Sequence, residues 1–372
     1  MSKIHALTMP KWGLSMKEGR IVAWLADEGT EVSAGTEIVE IETDKILSAL
    51  EAPASGILRR KVAAVNDVVA VAGLLGVIAD NSISDSELDS FVSEVRTRAA
   101  VQQRELELSE PAPEVVVLQE QSLRYLKRGE GQEAVVLIHG FGGDLNTWLL
   151  NHEELAQGRT VYAFDLPGHG GSSKQVHSGK LSEFARSLEL FMDSVGVAKA
   201  HLVGHSMGGA VSLEFALSHP ERVASLVLIA SAGLAPEIDG EYLNGFVAAS
   251  RRKDLKPLLE RLFADPNLAG RQFVEDVLRY KRVDGVDAAL RTILSEFCPK
   301  GKQATVFRDR LSELQIPILV LWGAEDRILP ASHSQHLPPN IRTETFVGSG
   351  HMVHMEAAAK VNRAIQRFWE SK

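Results

Sequence analysis

The stretch HLVGHSMGGAVSLEFAL, His201 to Leu217, leaves a chain few ways to fold. It starts as an apolar run, turns through glycines at 204, 208 and 209, and continues as a helix-forming segment. Glycine lets the backbone make a sharp, strained turn and pack closely against the helix that follows. A serine at the apex sits at a helix N-terminus, where free amides favour developing negative charge. Gly204-His205-Ser206-Met207-Gly208 fits G-x-S-x-G. The bare pentapeptide is weak, but between an apolar strand and a helix it marks Ser206 as a candidate nucleophile.

The strand before this turn is one of a series. VVLIH (135–139), VYAF (161–164), SLVLIA (225–230) and PILVLWG (317–323) are unbroken apolar runs, and TETFV (343–347) closes the set. Such runs read as strands buried on both faces of a parallel sheet, with helical patterns between them. Residues 234–314 interrupt the alternation with helical segments, LKPLLERLF and RQFVEDVLRYKRV among them. We expect them to form a cap over the carboxyl ends of the strands, where open α/β sheets bind ligands.

The residues that assist a serine have expected places in this order. An oxyanion needs two donors in place before reaction. One is the amide of Met207, directly after the serine. The other is the amide of Phe141, in the HGFGG loop that follows a strand. An orienting acid is expected after a late strand, where GAEDRI offers Glu325 and Asp326; Asp326 is the expected one. The base is expected after the last strand, in GSGHMVHM, as His351, with His354 as the alternative. His169, Asp165 and His205 read as loop-holding or packing residues.

HGFGG, DLPGHGGS, GHSMGG, GAEDRI and GSGHMVHMEAA, in that order, resemble the α/β-hydrolase superfamily. The resemblance implies a Ser206–Asp326–His351 triad. It does not fix the substrate, because esterases, thioesterases, haloperoxidases and C–C hydrolases share the pattern.

The first 80 residues are of another kind. They are rich in valine, isoleucine and alanine with glycine at turns, and no helix period appears, so short strands are expected. GRIVAWLADEGTEVSAGTEIVEI, from Gly19, repeats as GILRRKVAAVNDVVAVAGLLGVI, from Gly56. Gly19 then meets Gly56, Val32 meets Val69 and Ile41 meets Ile78, while the turn former Gly29-Thr30 meets Asn66-Asp67. Two like strand sets imply a small sandwich with an approximate two-fold axis. In IVEIETDKILSALEA the link between the repeats puts Lys45 at an exposed hairpin corner, where its long stem and amine can be acylated. An isolated Asp-Lys turn is ordinarily just solvated; the repeat on either side changes that reading. Residues 3–80 resemble lipoyl domains, whose ETDK lysine carries lipoate as an amide. That resemblance assigns the attachment to Lys45 and implies a lipoate-attaching enzyme. Biotin carriers share the fold but usually flank the lysine with methionine, whereas Asp44 and Ile46 stand here.

Residues 81–115 link the two parts. Ser84 and Glu87 are spaced as a capping box, and Leu88, Phe91, Val92, Val95 and Ala99 follow on one helical stripe that Pro111 ends. The stripe is expected on the following domain, on the same helix of another copy (a homo-oligomer), or on a partner. The expected fold is therefore multidomain. An all-β lipoyl sandwich spans 1–80, a linker with a helix 81–115, and an α/β-hydrolase fold 116–372, with a mostly parallel sheet and a helical cap.

Composition narrows the function. A net charge of −9 argues against a nucleic-acid partner, which needs a basic face. No apolar run reaches the ~20 residues that span a bilayer, and MSKIHALTMPKWG does not read as a signal peptide. One cysteine, Cys298, allows no disulfide within the chain and no thiolate metal cluster. We expect a cytoplasmic, metal-free enzyme with Cys298 as a small, part-buried hydrophobe.

A lipoyl domain ahead of an α/β hydrolase resembles the dihydrolipoamide acetyltransferase components of acetoin dehydrogenase complexes. The resemblance implies transfer of an acetyl group from the lipoyl thioester to coenzyme A. It implies a thiamine-diphosphate-dependent acetoin dehydrogenase component that loads the arm, and the flavoprotein dihydrolipoamide dehydrogenase that reoxidises it. Ordinary acyltransferases of 2-oxo acid dehydrogenase complexes use H-x-x-x-D-G on a different fold. Here Ala235 and Tyr280 stand four residues before Asp239-Gly240 and Asp284-Gly285, so that motif is absent. No match to the usual subunit-binding domain is found either. Two alternatives stay open: a lipoyl-tethered esterase or thioesterase that releases the acyl group to water, and a carrier whose hydrolase domain is idle. Arg251-Arg252-Lys253 is a basic run available to coenzyme A phosphates, although such runs are more often solvated faces.

Overall fold

Eight short strands build the first half of the chain, and the sequence repeat decides how they pair. In the computed structural model, which describes residues 4–10, 18–43, 47–109, 111–118 and 121–371, these are β1 (Ile4–Thr8), β2 (Glu18–Trp24), β3 (Glu31–Val32), β4 (Glu37–Glu42), β5 (Leu47–Glu51), β6 (Gly56–Lys61), β7 (Val68–Ala70) and β8 (Leu74–Ala79). One sheet runs β1-β8-β6-β3 and the other β5-β4-β2-β7. Each repeat thus keeps two long strands in one sheet and lends its short one to the other, which is the two-fold relation the repeat implies. Ile21, Ile38, Ile41, Leu58 and Ile78 are fully buried in the layer between the sheets. The matched turn positions Gly29 and Asn66 both take left-handed backbone, at φ 87° and 73°, a conformation that glycine and asparagine tolerate best. β4 and β5 pair from Glu37 opposite Glu51 to Glu42 opposite Leu47. Lys45, with Asp44 and Ile46, lies outside the described residues.

The helix Asp85–Ser109 belongs to this first unit, Met1–Glu110. Its capping box is formed: the Ser84 amide donates to Glu87 Oε2 at 2.9 Å, and the Glu87 amide donates to Ser84 Oγ at 3.3 Å. Its apolar stripe has a different partner from the three expected. Leu88 and Val95 bury against Leu74, Val77 and Ala79 of β8, with Phe91 and Val92 beside them. The reason lies in β8, LLGVIA, in which all six residues are buried. Leu75 and Ile78 face the sandwich interior, so the apolar outer side of the same strand requires a cover of its own.

The second unit, Pro111–Lys372, is built on eight strands: β9 (Glu114–Leu118), β10 (Gln121–Arg128), β11 (Ala134–Ile138), β12 (Thr160–Phe164), β13 (Ala200–His205), β14 (Val223–Ile229), β15 (Ile318–Gly323) and β16 (Arg342–Phe346). They lie in the order β16-β15-β14-β13-β11-β12-β10-β9. β11 to β16 are parallel, while at one edge β10 pairs antiparallel with β12 and β9 antiparallel with β10. The edge pair was not expected from the sequence. β10 reads QSLRYLKR, and only Leu123 and Leu126 of it are buried; β9 leaves Val115 and Val117 exposed. Neither gives the unbroken apolar run of a central strand.

Central strands alternate their side chains between two cores. Val136, Leu202, Leu226 and Val320 enter one, with Phe184, Leu188 and Phe191 of the helix Leu181–Ser194. Val135, Val203, Val227 and Leu319 enter the other, with Val361, Ile365 and Phe368 of the helix Ala358–Glu370. Between β14 and β15 come the helices Gly240–Ala248, Arg252–Leu259, Arg271–Lys281 and Val286–Phe297. They form the cap, whose two ends are paired by a strand-like bridge from Glu237 to Lys302. Cys298 is buried in the main core, and burial pushes its thiol pKa up. Arg251, Arg252 and Lys253 are exposed, and Arg251 pairs with Asp254 at 2.8 Å, as a solvated face does. Among the described residues no helix is long and apolar enough to cross a membrane.

Candidate active site

Ser206 occupies the turn between β13 and the helix Met207–Ser218, at φ 54° and ψ −120°. That is a strained backbone for a residue with a Cβ. The turn closes because its glycines have no side chains. A Cβ on Gly204 would lie 2.5 Å from the Gly208 carbonyl, and one on Gly208 would lie 2.5 Å from the His139 carbonyl. The Ser206 amide bonds the Ile229 carbonyl at 3.0 Å, and the Ser206 carbonyl accepts from Ala232 at 3.0 Å. Both sides of the turn are thus held by β14 and the loop after it.

Asp326 follows β15 and His351 follows β16. His351 Nδ1 donates to Asp326 Oδ2 at 2.9 Å, and both side chains are almost fully buried. Asp326 Oδ1 accepts from the amides of Ile328 and Leu329 at 2.8 and 3.0 Å. The carboxylate is therefore fixed by three donors and presents one oxygen to the imidazole. Glu325, the other acid considered, points elsewhere: its Oε2 accepts from the Ser349 amide at 3.0 Å and ties the two loops together.

Ser206 and His351 line the same cavity of about 70 Å³. Phe141 lies on its wall, with its ring against Phe246 of the cap at 5.9 Å. Met207 is the first residue of its helix, so its amide has no carbonyl one turn back. The cap contributes Tyr242, Leu243, Phe246 and Phe297. Ser206 is 8% exposed and His351 3%. The space is small, apolar and largely shut off from solvent.

His354 does not line this cavity. It is fully buried, its ring 4.9 Å from that of Trp148 and 4.4 Å from that of His205. Burial pushes its pKa down to about 3. His354 is thus turned away from the serine, whereas His351 lines the cavity with it. His205 does more than pack. Its Nε2–H donates to the main-chain carbonyl of His351 at 3.0 Å, so the residue before the nucleophile anchors the loop that carries the imidazole. Burial, and then the neighbouring imidazoles, hold His205 neutral.

The HGFGG loop is fixed in a similar way. His139 Nδ1 donates to the Gly140 carbonyl at 2.8 Å, and its Nε2 accepts from the Leu166 amide at 3.0 Å. Asp165 is fully buried and accepts from the Leu145 amide at 2.7 Å, the Gly171 amide at 2.7 Å and Arg124 Nε at 2.6 Å. This joins the HGFGG and DLPGHGGS loops to β10. His169 meets the Phe141 ring edge-on, with the ring centres 6.1 Å apart. Sequence reasoning missed Arg124, which sits in the unforeseen β10. It also missed Glu356, which accepts from the amides of Ala264 and Gly350 and ties the cap to the His351 loop. An arginine in an alternating strand and an acid five residues after the base carry no signal of their own.

The family model described as alpha/beta hydrolase fold matches residues 133–358, and one described as Biotin-requiring enzyme matches residues 5–78. Fold and site thus define an α/β hydrolase that carries a biotin- and lipoyl-type domain in front. Over 99% of its length the chain is 48% identical to the dihydrolipoyllysine-residue acetyltransferase component of acetoin cleaving system from Pseudomonas putida, of which it covers 99%. It is 44% identical over 98% of its length to the protein of the same description from Cupriavidus necator, of which it covers 97%. The chain belongs to this family of acetyltransferase components. Among solved structures, a meta-cleavage product hydrolase from Pseudomonas fluorescens superposes with a TM-score of 0.64, at 23% identity, over 70% of this chain and 98% of that one. That likeness is one of fold.

Proposed function

We propose that this chain takes an acetyl group from a dihydrolipoyl thioester and passes it to coenzyme A in acetoin catabolism, with Ser206, His351 and Asp326 as nucleophile, base and orienting acid. The observation that carries the reading is the full-length match, through both domains, to acetyltransferase components of acetoin-cleaving systems. Lys45 is the proposed attachment point. Around it the frame fits: β4 and β5 remain paired as far as Glu42 and Leu47, so only residues 43–46 connect them. Bound there as an amide, lipoate supplies a terminal thiol that carries the acetyl group.

The chain's own residues would act in two steps. In the first, Ser206 Oγ attacks the thioester carbonyl while its proton moves to His351 Nε2. Asp326 holds the Nδ1–H and stabilises the imidazolium. The amides of Phe141 and Met207 take the oxyanion, each donor worth about 2.7–4 kcal/mol in the transition state. The C–S bond breaks, His351 returns the proton to the departing thiolate, and an acetyl-serine remains. In the second step His351 takes the proton of the coenzyme A thiol. The sulfur attacks the acetyl carbon, and Ser206 leaves and recovers its proton. Transfer competes with hydrolysis, and the buried, apolar cavity favours transfer by limiting water. The partners this implies are a thiamine-diphosphate-dependent acetoin dehydrogenase component, dihydrolipoamide dehydrogenase and a lipoate-attaching enzyme.

The test supplies purified protein with S-acetyl-dihydrolipoamide and coenzyme A, and quantifies acetyl-CoA and acetate with wild type and Ser206→Ala. The expected result is mostly acetyl-CoA, lost in the variant. Mostly acetate, lost in the variant, would make the chain a lipoyl-tethered hydrolase.

A further inference from the structure

The catalytic cavity has no room for the whole of such a substrate. Its 70 Å³ is about half of the ~150 Å³ cavity that takes a benzene ring, so it takes an acetyl-sized group. The chain that bears the thiol has to lie outside. A groove of about 590 Å³ adjoins the cavity and shares Gly142, Gly143, Thr147, Phe273, Val277 and Met352 with it. These shared residues form a neck between the oxyanion loop and the cap helix Arg271–Lys281.

Beyond the neck the groove is apolar at its rim and balanced in charge. Leu149 is 44% exposed and Val283 47%, large apolar side chains left in water on the groove's wall. Both arginines of the groove are engaged. Arg124 bonds Asp165 at 2.6 Å and approaches Asp144 at 3.6 Å, and Arg279 pairs with Asp276 at 3.0 Å. Each arginine of this wall has a carboxylate beside it, so the wall offers a phosphate no net positive charge, while methylene groups have apolar surface to cover.

We infer that this groove binds the neutral, amide-bearing thiol arm on which the acetyl group travels, its methylenes along Leu149 and Val283 and its thioester passing the neck to Ser206. The inference rests on the transferase reading above. Dihydrolipoamide and the pantetheine end of coenzyme A share this chemistry: a methylene chain, an amide and a terminal thiol. Both would use the same neck in turn, with the coenzyme A phosphates outside the groove.

The experiment measures kcat/KM for three acetyl donors with coenzyme A as acceptor: S-acetyl-dihydrolipoamide, S-acetylpantetheine and methyl thioacetate, which has no arm. Wild type is expected to prefer the armed donors by a hundredfold or more. Leu149→Trp and Val283→Trp are expected to cut that preference at least tenfold. Both positions are half exposed, and the readout is a ratio within one protein, so a smaller active fraction does not move it. A loss confined to one armed donor supports the groove and identifies its arm. An unchanged preference in both variants overturns the inference, and so does a wild type that treats all donors alike, with the transferase reading intact. If no donor is consumed in a Ser206-dependent way, the transferase reading fails and takes the groove with it.

Discussion

At the scale of single residues, the site is a few strained or buried groups held by many ordinary bonds. Ser206 keeps its φ of 54° because β14 and glycines leave it no alternative. Asp326 is held by three donors, so Asp326→Asn is expected to preserve the fold while giving the imidazole the wrong hydrogen-bond partner. We expect kcat to fall by about four orders of magnitude, measured as acetyl-CoA formed per second with melting temperature as control. That Asp326 meets His351, and that His351 shares a cavity with Ser206, was legible because each of the three follows an apolar strand in a fixed order. His205 was not, because its role depends on where a distant loop places the His351 carbonyl. The buried histidines also set an acid limit. Burial lowers His152 to about 4 and His169 and His354 to about 3, against about 6.5 when unfolded. Their neutral forms contribute full stability above pH 6.5 or so, and the contribution is lost as pH falls, because the unfolded chain takes up protons first. We expect His354→Phe to flatten the decline of unfolding free energy between about pH 6 and 4 by about 1.4 kcal/mol per pH unit. Denaturant titrations at stepped pH measure it.

At the scale of elements, the sequence spoke clearly where a segment was buried on both sides and poorly where it was half exposed. The central strands were readable as apolar runs. β9 and β10 were not, and with them went Arg124. The helix Asp85–Ser109 was readable through its capping box and stripe, but its partner was not, because the need for a cover arises on β8. Had LLGVIA been weighed as a strand apolar on both faces, the preceding sandwich would have been an obvious site for the stripe. Leu88 is fully buried there, so Leu88→Ala is expected to loosen the helix at a cost of about 2–5 kcal/mol. Hydrogen exchange over residues 85–98 should speed accordingly, while the inner strand β4 stays protected. In the second unit Gly208→Ala is expected to act on the turn itself. The added Cβ meets main-chain carbonyls of Ile138 and His139, which no rotamer change relieves. Transfer activity should be lost together with several degrees of melting temperature.

At the scale of the molecule, carrier and catalyst are separate compact units of one chain, and this allows their roles to be separated by experiment. The proposed catalytic residues, Phe141 to His351, all lie in the second unit. Among the described residues, Ser206, Asp326 and His351 draw their hydrogen bonds from the second unit. The role we propose for the lipoyl-type domain is delivery: an acetyl group fixed to the chain is at a high effective concentration, whereas a free donor has to be supplied at its KM or above. Lys45→Arg keeps a charged, flexible side chain but cannot form the amide. The variant is expected to show no lipoate mass increment when made in a lipoylating host. It should still convert free S-acetyl-dihydrolipoamide and coenzyme A to acetyl-CoA with kcat and KM within about twofold of wild type, since no part of the serine site has changed. With acetoin and the partner enzymes as the only acetyl source, its flux should be abolished. Recovery of that flux on adding free lipoamide would show that the arm serves as a tether. Loss of activity with the free donor as well would mean that the two units depend on each other for catalysis, and that the lysine's domain does more than deliver.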